Sequence, residues 1–219
     1  MPASSYLQGL TWLGHASFKL VRGGATVYFD PWRLTGEPHD ADVILISHPH
    51  FDHLDPADVA KIAKPETVIV TVADCVATLQ EAKVPGTIQQ VKPGDKLDLK
   101  RIKIEAVPAY NTNKGFHPKE KQWVGFIVEV EGTRIYHAGD TDFIPEMSTF
   151  KVDVALLPVS GVYVMTAQEA AEAVKVMQPK VSVPMHYGSI IGTVEDAKRF
   201  FGLCKGMLVE IMLKEDKVS

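Results

Sequence analysis

Three histidines and one aspartate lie within six consecutive positions, in the segment His48-Pro49-His50-Phe51-Asp52-His53. Imidazole nitrogens suit divalent transition metals, and a carboxylate adds negative charge to such a site. Because residues two apart in an extended segment point the same way, His48 and His50 can converge on one ion. Asp52 and His53, past the turn, can reach a second ion nearby. The spacing therefore predicts one loop that serves two metal ions, rather than a surface loop that is rich in histidine by chance.

The ligand loop directly follows a run of apolar residues that must hold it in place. Residues 42–47 read DVILIS, which is typical of a strand buried on both faces. The surrounding sequence alternates short apolar runs with helical patterns, and Asp55 is a plausible N-cap. The predicted elements of the first half are strands at 11–13, 17–21, 25–29, 42–47 and 67–72 and helices at 56–63 and 73–83.

The second half of the chain continues the same mixture of strands and helices. Residues 86–105 are predicted to form short strands interrupted by Pro93-Gly94, and Gly132 lies at the turn of a hairpin formed by 122–131 and 133–137. Thr166 and Glu169 have capping-box spacing at the start of a helix. The remaining predictions are strands at 152–157 and 180–185, helices at 166–177 and 194–203, and a polar tail that frays.

The composition restricts the function classes. The chain of 219 residues is 46% hydrophobic and 23% charged, with a formal net charge of −4, so we expect one soluble domain over residues 1–219 without a nucleic-acid-binding face. No stretch approaches the roughly 18 apolar residues of a membrane span, and the N-terminal segment lacks the pattern of a signal peptide. Cys75 and Cys204 are expected to be small core residues. We therefore expect a cytoplasmic protein with a small-molecule substrate, either monomeric or a homo-oligomer.

The histidine segment matches the HxHxDH signature of the metallo-β-lactamase-fold hydrolases, and the resemblance extends over most of the chain. Asp30 resembles an early aspartate that supports the ligand loop. Asp140, in HAGDT, resembles the aspartate that bridges both metals, and His186, in PMHYG, resembles the last metal-binding histidine. His15, in GHAS, is similar to a segment of the ascorbate phosphate lactonase-like and phospholipase D-like branches, where it lines the pocket or supports a strand end. The resemblance implies an α/β fold, a four-layer α/β/β/α sandwich of two mixed β-sheets with outer helices.

One position departs from the family pattern. The third motif usually supplies a histidine to the first metal, but the matching residues 107–113 contain none, and Asn111 stands at the expected place. His117 follows six residues later. Either the loop brings His117 back to the metal, or Asn111 or a water completes the site. We favour His117 because imidazole is the stronger ligand.

The resemblance implies a hydrolase that uses a metal-activated water or hydroxide at a dinuclear site. The expected metals are two divalent ions, zinc first, with manganese or iron as alternatives. The substrate is expected to be a phosphodiester or a phosphorylated or lactone-type small molecule, with Asp52 orienting the nucleophile. The alternatives are a di-iron redox protein of the same fold and a non-catalytic metal-binding scaffold. The full set of expected metal ligands is His48, His50, Asp52, His53, His117, Asp140 and His186.

The sequence alone leaves the roles of two further groups of residues undecided. Lys114, Lys119 and Lys121 bunch beside His117 and either attract an anionic substrate or form a solvated charged loop, which we favour. Three aromatic side chains either wall the cleft or belong to the core, and these are Trp32, Trp123 and Tyr187.

Overall fold

The chain folds around two six-stranded mixed sheets. Our computed structural model describes residues 3–215 and 218. The first sheet has its strands in chain order, antiparallel from β1 to β3 and parallel from β3 to β6. Its strands are β1 (Leu10–Gly14), β2 (Ser17–Arg22), β3 (Ala25–Phe29), β4 (Val43–Ile46), β5 (Val68–Thr71) and β6 (Thr87–Gln90).

The second sheet also follows chain order. It is antiparallel from β7 to β10 and parallel from β10 to β12. Its strands are β7 (Lys96–Leu99), β8 (Ile102–Pro108), β9 (Val124–Val130), β10 (Thr133–His137), β11 (Val154–Pro158) and β12 (Val181–Met185). The predicted sandwich of two mixed sheets with helices is confirmed.

Two helices begin at the capping residues that the sequence indicates. Asp55 accepts hydrogen bonds from the N–H groups of Ala57 and Asp58, and the predicted capping box of Thr166 and Glu169 is present. Over residues 3–215, the α-helices are α1 (Ala3–Tyr6), α2 (Pro56–Ile62), α3 (Ala73–Glu81), α4 (Ala167–Met177) and α5 (Val194–Leu203). Two short 3-10 helices lie at Lys119–Lys121 and Pro145–Thr149. None of these helices has the length and apolar character that crossing a membrane requires.

The buried apolar side chains of both sheets form one continuous core. The strand β4, VILI, is buried at every position, as its sequence predicts. Both cysteines are free and buried, in agreement with the expected core role. In the described part of the tail, the N–H of Glu215 donates to the carbonyl of Trp12 at 2.9 Å. Residues 216, 217 and 219 lie outside the described part of the chain.

The topology of the first sheet collects several polar residues at one edge. Since β1 and β3 are both antiparallel to β2, and β4 is parallel to β3, these three strands end at the same edge. His15 follows β1, Asp30 follows β3, and the loop 48–53 follows β4. Carboxyl ends of strands are the usual place for ligand-binding residues in α/β sheets.

The second sheet presents a corresponding edge. The strands β8 and β10 are both antiparallel to β9, and β12 shares the direction of β10 through β11. The loop 109–123 therefore leaves the same edge as Asp140 and His186. The two edges meet, because the N–H of His186 donates to the carbonyl of His15 at 2.9 Å. Residues distant in sequence thus converge because their strands share one direction.

Candidate metal centre

The first of two clusters of metal-binding side chains contains His48, His50, His117 and Asp140, whose nearest ligand atoms all lie within 4.8 Å of one another. His50 Nδ1 is 3.0 Å from His48 Nε2 and 3.2 Å from His117 Nε2. Asp140 Oδ2 is 3.2 Å from His117 Nε2. His48, His117 and Asp140 are buried, and His50 is partly exposed. Three ring nitrogens and one carboxylate oxygen therefore face one point.

The second cluster contains His15, Asp52, His53 and His186, and its ligand atoms are equally close. Asp52 Oδ2 lies 3.0 Å from His15 Nε2 and 3.7 Å from Nε2 of both His53 and His186. The split expected from the sequence is present, since His48 and His50 face one cluster and Asp52 and His53 the other. His15 is a member that the ligand set expected from sequence omits.

The Asp140 carboxylate lies between the two clusters. Its Oδ1 is 3.1 Å from His53 Nε2, and its Oδ2 is 3.2 Å from His117 Nε2 and 3.3 Å from His186 Nε2. The preceding Gly139 has a φ of 60°, and a Cβ there would lie 2.9 Å from a backbone oxygen of the neighbouring strand. Glycine thus allows the close approach that places Asp140 between the clusters.

Hydrogen bonds behind the histidines direct their free nitrogens toward the clusters. Ser47 Oγ donates to Asp30 at 2.7 Å and lies 2.8 Å from His48 Nδ1, so this ring nitrogen carries the proton and His48 Nε2 is left as an acceptor. Burial lowers the pKa of His48 well below its usual value and keeps the ring neutral. With its Nε2 lone pair directed into the cluster, His48 is oriented as a metal ligand would be.

Both clusters contain buried polar atoms that have no hydrogen-bond partner in the described part of the chain. Within the described residues, His53 Nε2, Asp140 Oδ1 and His186 Nε2 are buried and make no hydrogen bond. Burial lowers the pKa of His53, but the charges of Asp140 and Asp30 outweigh burial and raise it well above its usual value. The negative charge of these carboxylates therefore favours a cation between them. The donor set and the unpartnered atoms fit divalent metal ions.

Asp52 is an ionised carboxylate within this second cluster. Burial raises the pKa of Asp52, but the hydrogen bond with His15 and the charge of His53 outweigh burial. Together they lower this pKa to about 2. Burial lowers the pKa of His15 to about 4, against the opposing effect of Asp52. At neutral pH the pair is therefore an anionic carboxylate and a neutral imidazole, which is the protonation state that metal ligands need.

Asp30 supports the ligand loop from behind. Its Oδ1 accepts the backbone N–H of Ser47 at 2.8 Å, and its Oδ2 lies 2.7 Å from both Ser47 Oγ and His53 Nδ1. Asp30 is fully buried and has a φ of 41°. These contacts connect the end of β3 to both sides of the loop, and they fix the ring of His53 with Nε2 toward Asp140.

A sequence model of the beta-lactamase superfamily domain matches residues 9–186, which include both clusters. The chain belongs to the metallo-β-lactamase superfamily. Within this superfamily it is a metal-dependent hydrolase, and the residues of the two clusters are its candidate dinuclear site.

Relatives and solved structures agree with this assignment to the superfamily. A UPF0173 metal-dependent hydrolase of Methanopyrus kandleri is 30% identical over 224 residues, covering 94% of this chain and 96% of the relative. A crystal structure from Parabacteroides distasonis has a TM-score of 0.80 and 34% identity, covering 94% and 93% of the two chains. The metallo hydrolase Igni18 of Ignicoccus hospitalis has a TM-score of 0.74 and 26% identity, with 95% coverage of both.

Asn111, which stands where the superfamily pattern leads us to expect a histidine, contacts His117 directly. Its Oδ1 accepts the backbone N–H of His117 at 2.9 Å and lies 3.0 Å from His117 Nδ1. Because an amide oxygen only accepts, the ring proton lies on Nδ1, and Nε2 is left free toward Asp140. The loop thus brings His117 back to the cluster, and Asn111 orients it from behind. Its ligand role stays a proposal.

The loop that carries His117 is itself held by the fully buried carboxylate of Asp142. Asn111 Nδ2 donates to Asp142 Oδ1 at 3.0 Å and to the carbonyl of Tyr163 at 2.9 Å. Asp142 also accepts the backbone N–H of Thr112 at 2.8 Å and the Lys114 ammonium at 2.5 Å. These contacts leave the Asn111 amide no alternative orientation. No sequence pattern indicates this role, because Asp142 and Asn111 come into contact only through the fold.

Replacing Asn111 with Ala should weaken metal binding at the first cluster about 10- to 100-fold, since the orientation of His117 is lost. The second cluster should retain its ion. Titration with Co²⁺, followed by the visible absorption of each bound ion, measures the two sites separately. Asn113→Ala is the matched control, because Asn113 is exposed in the same loop. Equal Co²⁺ affinity in Asn111→Ala and Asn113→Ala would contradict the role of Asn111.

The structure shows the contacts of the basic and aromatic residues whose roles the sequence leaves open. Lys114 pairs with Asp142, Lys119 with Glu146 and Lys121 with Asp74, so the lysines belong to ion pairs. The three aromatic side chains are buried and pack behind the site, and none lines the cavity at the clusters. They are Trp32 against His15, Trp123 against His48 and His50, and Tyr187 against Trp12.

A cavity of about 230 Å³ opens onto both clusters, with His50, His117, Asp52 and Asp140 on its floor. The candidate centre is therefore accessible to a small molecule.

Proposed function

We propose that the protein hydrolyses an ester bond, in a phosphodiester or a lactone-type small molecule, at a dinuclear centre formed by the two clusters. The observation that supports this most strongly is the Asp140 carboxylate, which faces both clusters beneath an open cavity. An open cavity also argues against a purely structural metal scaffold, since structural sites are closed.

We propose zinc as the metal in both clusters. Each cluster combines three imidazoles with one carboxylate, a nitrogen-rich set that suits zinc, with manganese and iron as the alternatives. Ions held there would act as Lewis acids and lower the pKa of a bound water toward neutrality. The ligands of the first would be His48, His50, His117 and Asp140, and those of the second Asp52, His53 and His186, with Asp140 shared.

The residues of the chain have distinct parts in this reaction. The ionised Asp52, which lines the cavity, accepts a hydrogen bond from the attacking water and orients it toward the substrate. His15, 3.0 Å from Asp52, holds that carboxylate in place. Since His15 is fully buried, it excludes solvent from the far side of Asp52. The buried ligands provide a preorganised environment of low polarity in which charge interactions are strong.

Replacing Asp52 with Ala should reduce hydrolysis of bis(4-nitrophenyl) phosphate and of γ-butyrolactone by the zinc-loaded protein by at least about a hundredfold. The cause is the loss of both a ligand and the group that orients the water. Release of 4-nitrophenol and of acid measures the two rates. Asp95→Ala, at a partly exposed aspartate in the turn between β6 and β7, is the control. Wild-type rates in Asp52→Ala would rule out this mechanism.

A further inference from the structure

The walls of the cavity above the metal-binding residues are almost entirely apolar. Its floor consists of four candidate ligands, and its walls come from separate loops. The wall residues are Phe51, Phe116, Tyr163, Ile190 and Ile191.

Several of these apolar side chains are left in contact with solvent. Phe51 is 65% exposed, Phe116 50% and Ile190 43%. A soluble protein exposes scattered apolar side chains without consequence, but a group of them around a polar floor is typical of a binding site. Two of the wall side chains also contact each other, since the Phe116 and Tyr163 rings pack edge to face with centroids 4.6 Å apart.

Among the described residues that line the cavity there is no lysine or arginine. Lys114, in the loop of His117, is held by the buried Asp142 at 2.5 Å and is mostly buried itself. A phosphate monoester dianion would therefore meet only aromatic and aliphatic side chains around the clusters. An uncharged part of a substrate can bind against these side chains without the free-energy cost of burying a charge.

We propose that the substrate carries an apolar alkyl or aryl group next to the bond that is cleaved, and that the walls around Phe116 and Ile190 bind this group. The inference rests on the proposed hydrolysis at the clusters and narrows its substrate class to neutral esters and lactones or singly charged diesters with an apolar substituent. The cavity of about 230 Å³ suits a small molecule. Burial of each additional methylene against these walls raises kcat/KM up to about fourfold, which corresponds to about 0.8 kcal/mol.

The experiment measures kcat/KM of the zinc-loaded full chain for two series of substrates with increasing alkyl length. These are γ-butyrolactone, γ-hexalactone and γ-octalactone, and the methyl, butyl and hexyl diesters of 4-nitrophenyl phosphate. We expect kcat/KM to rise with chain length in the series that is hydrolysed, and 4-nitrophenyl phosphate, a dianion, to be the poorest substrate. Hydrolysis with no dependence on chain length would overturn the inference and leave the proposed function intact.

A binding measurement separates the inference from the hydrolysis on which it rests. Calorimetry with acetohydroxamate, butanohydroxamate and hexanohydroxamate reports alkyl binding without turnover, because the hydroxamate group binds the ions. Rising affinity without hydrolysis of any substrate would refute the proposed function alone. Equal affinity for the three hydroxamates would refute the apolar site.

Variants of the wall test which residues bind the alkyl group. Phe116→Ser and Ile190→Ser should each flatten the dependence of hydroxamate affinity on chain length. Phe201→Ser is the control, since Phe201 is 56% exposed on α5 and does not line the cavity. The two replaced side chains are exposed, so we expect folded proteins with unchanged metal content. An unchanged dependence in both wall variants would place the alkyl group elsewhere and contradict the proposal.

Discussion

Replacing Asp140 with Ala should remove metal ions from both clusters at once and reduce hydrolysis more than about 100-fold. The carboxylate lies within 3.3 Å of ligand nitrogens of three histidines, His53, His117 and His186. Burial opposes its ionisation, but the charges of His186 and His53 outweigh burial and hold its pKa well below the usual value. Loss of an outer partner of a ligand costs 10- to 100-fold in metal affinity, and loss of a shared ligand should cost more.

Asp98→Asn is a control for the Asp140 variants, because it removes one negative charge from an exposed strand residue. Asp140→Asn keeps the shape of the side chain and removes its charge, and it should also lose metal. Metal content of the purified variants is measured by mass spectrometry and compared with that of the wild type. If Asp140→Ala kept both ions, Asp140 would not connect the two clusters.

Replacing Asp30 with Ala should lower the free energy of unfolding by about 3–5 kcal/mol, because it leaves buried polar groups without their partner. The groups concerned are the N–H and hydroxyl of Ser47 and the ring of His53, each within 2.8 Å of the carboxylate. Metal retention should fall as well, since His53 loses its orientation. Urea titrations at one fixed zinc concentration measure the stability, because bound ions contribute to it.

Asp55→Ala provides the comparison for Asp30. Asp55 also accepts two N–H groups, but it does so at the start of α2 near the protein surface. Loss of an N-cap costs about 1 kcal/mol. A loss in Asp30→Ala no larger than that in Asp55→Ala would show that the contacts beneath the ligand loop do not hold it.

The parts of the site that could be predicted from sequence are those that lie close together in the chain. The four residues from His48 to His53 act from one loop, and the buried strand before them is evident from its composition. The positions of Asp140 and His186 followed from a resemblance, as did the supporting position of Asp30. Short-range signals also located α2 and α4 through their caps, with boundaries within about one residue.

The parts that could not be predicted depend on contacts between distant elements. The sequence leaves His15 open between a pocket residue and a support of the strand end, and only the pairing of β1 through β4 brings it to Asp52. The role of Asn111 depends on Asp142, which lies after β10. The apolar wall likewise combines side chains of loops that are separate in the sequence. The spacing of residues along the sequence carries no information about such contacts between distant elements.

The metal content of the full chain shows whether the two clusters form a dinuclear metal centre. The protein is expressed with zinc, manganese and iron supplied, freed of loosely bound ions by gel filtration, and analysed by mass spectrometry. We expect about two divalent ions per chain, with zinc in excess. A protein that is folded and retains no metal would contradict it.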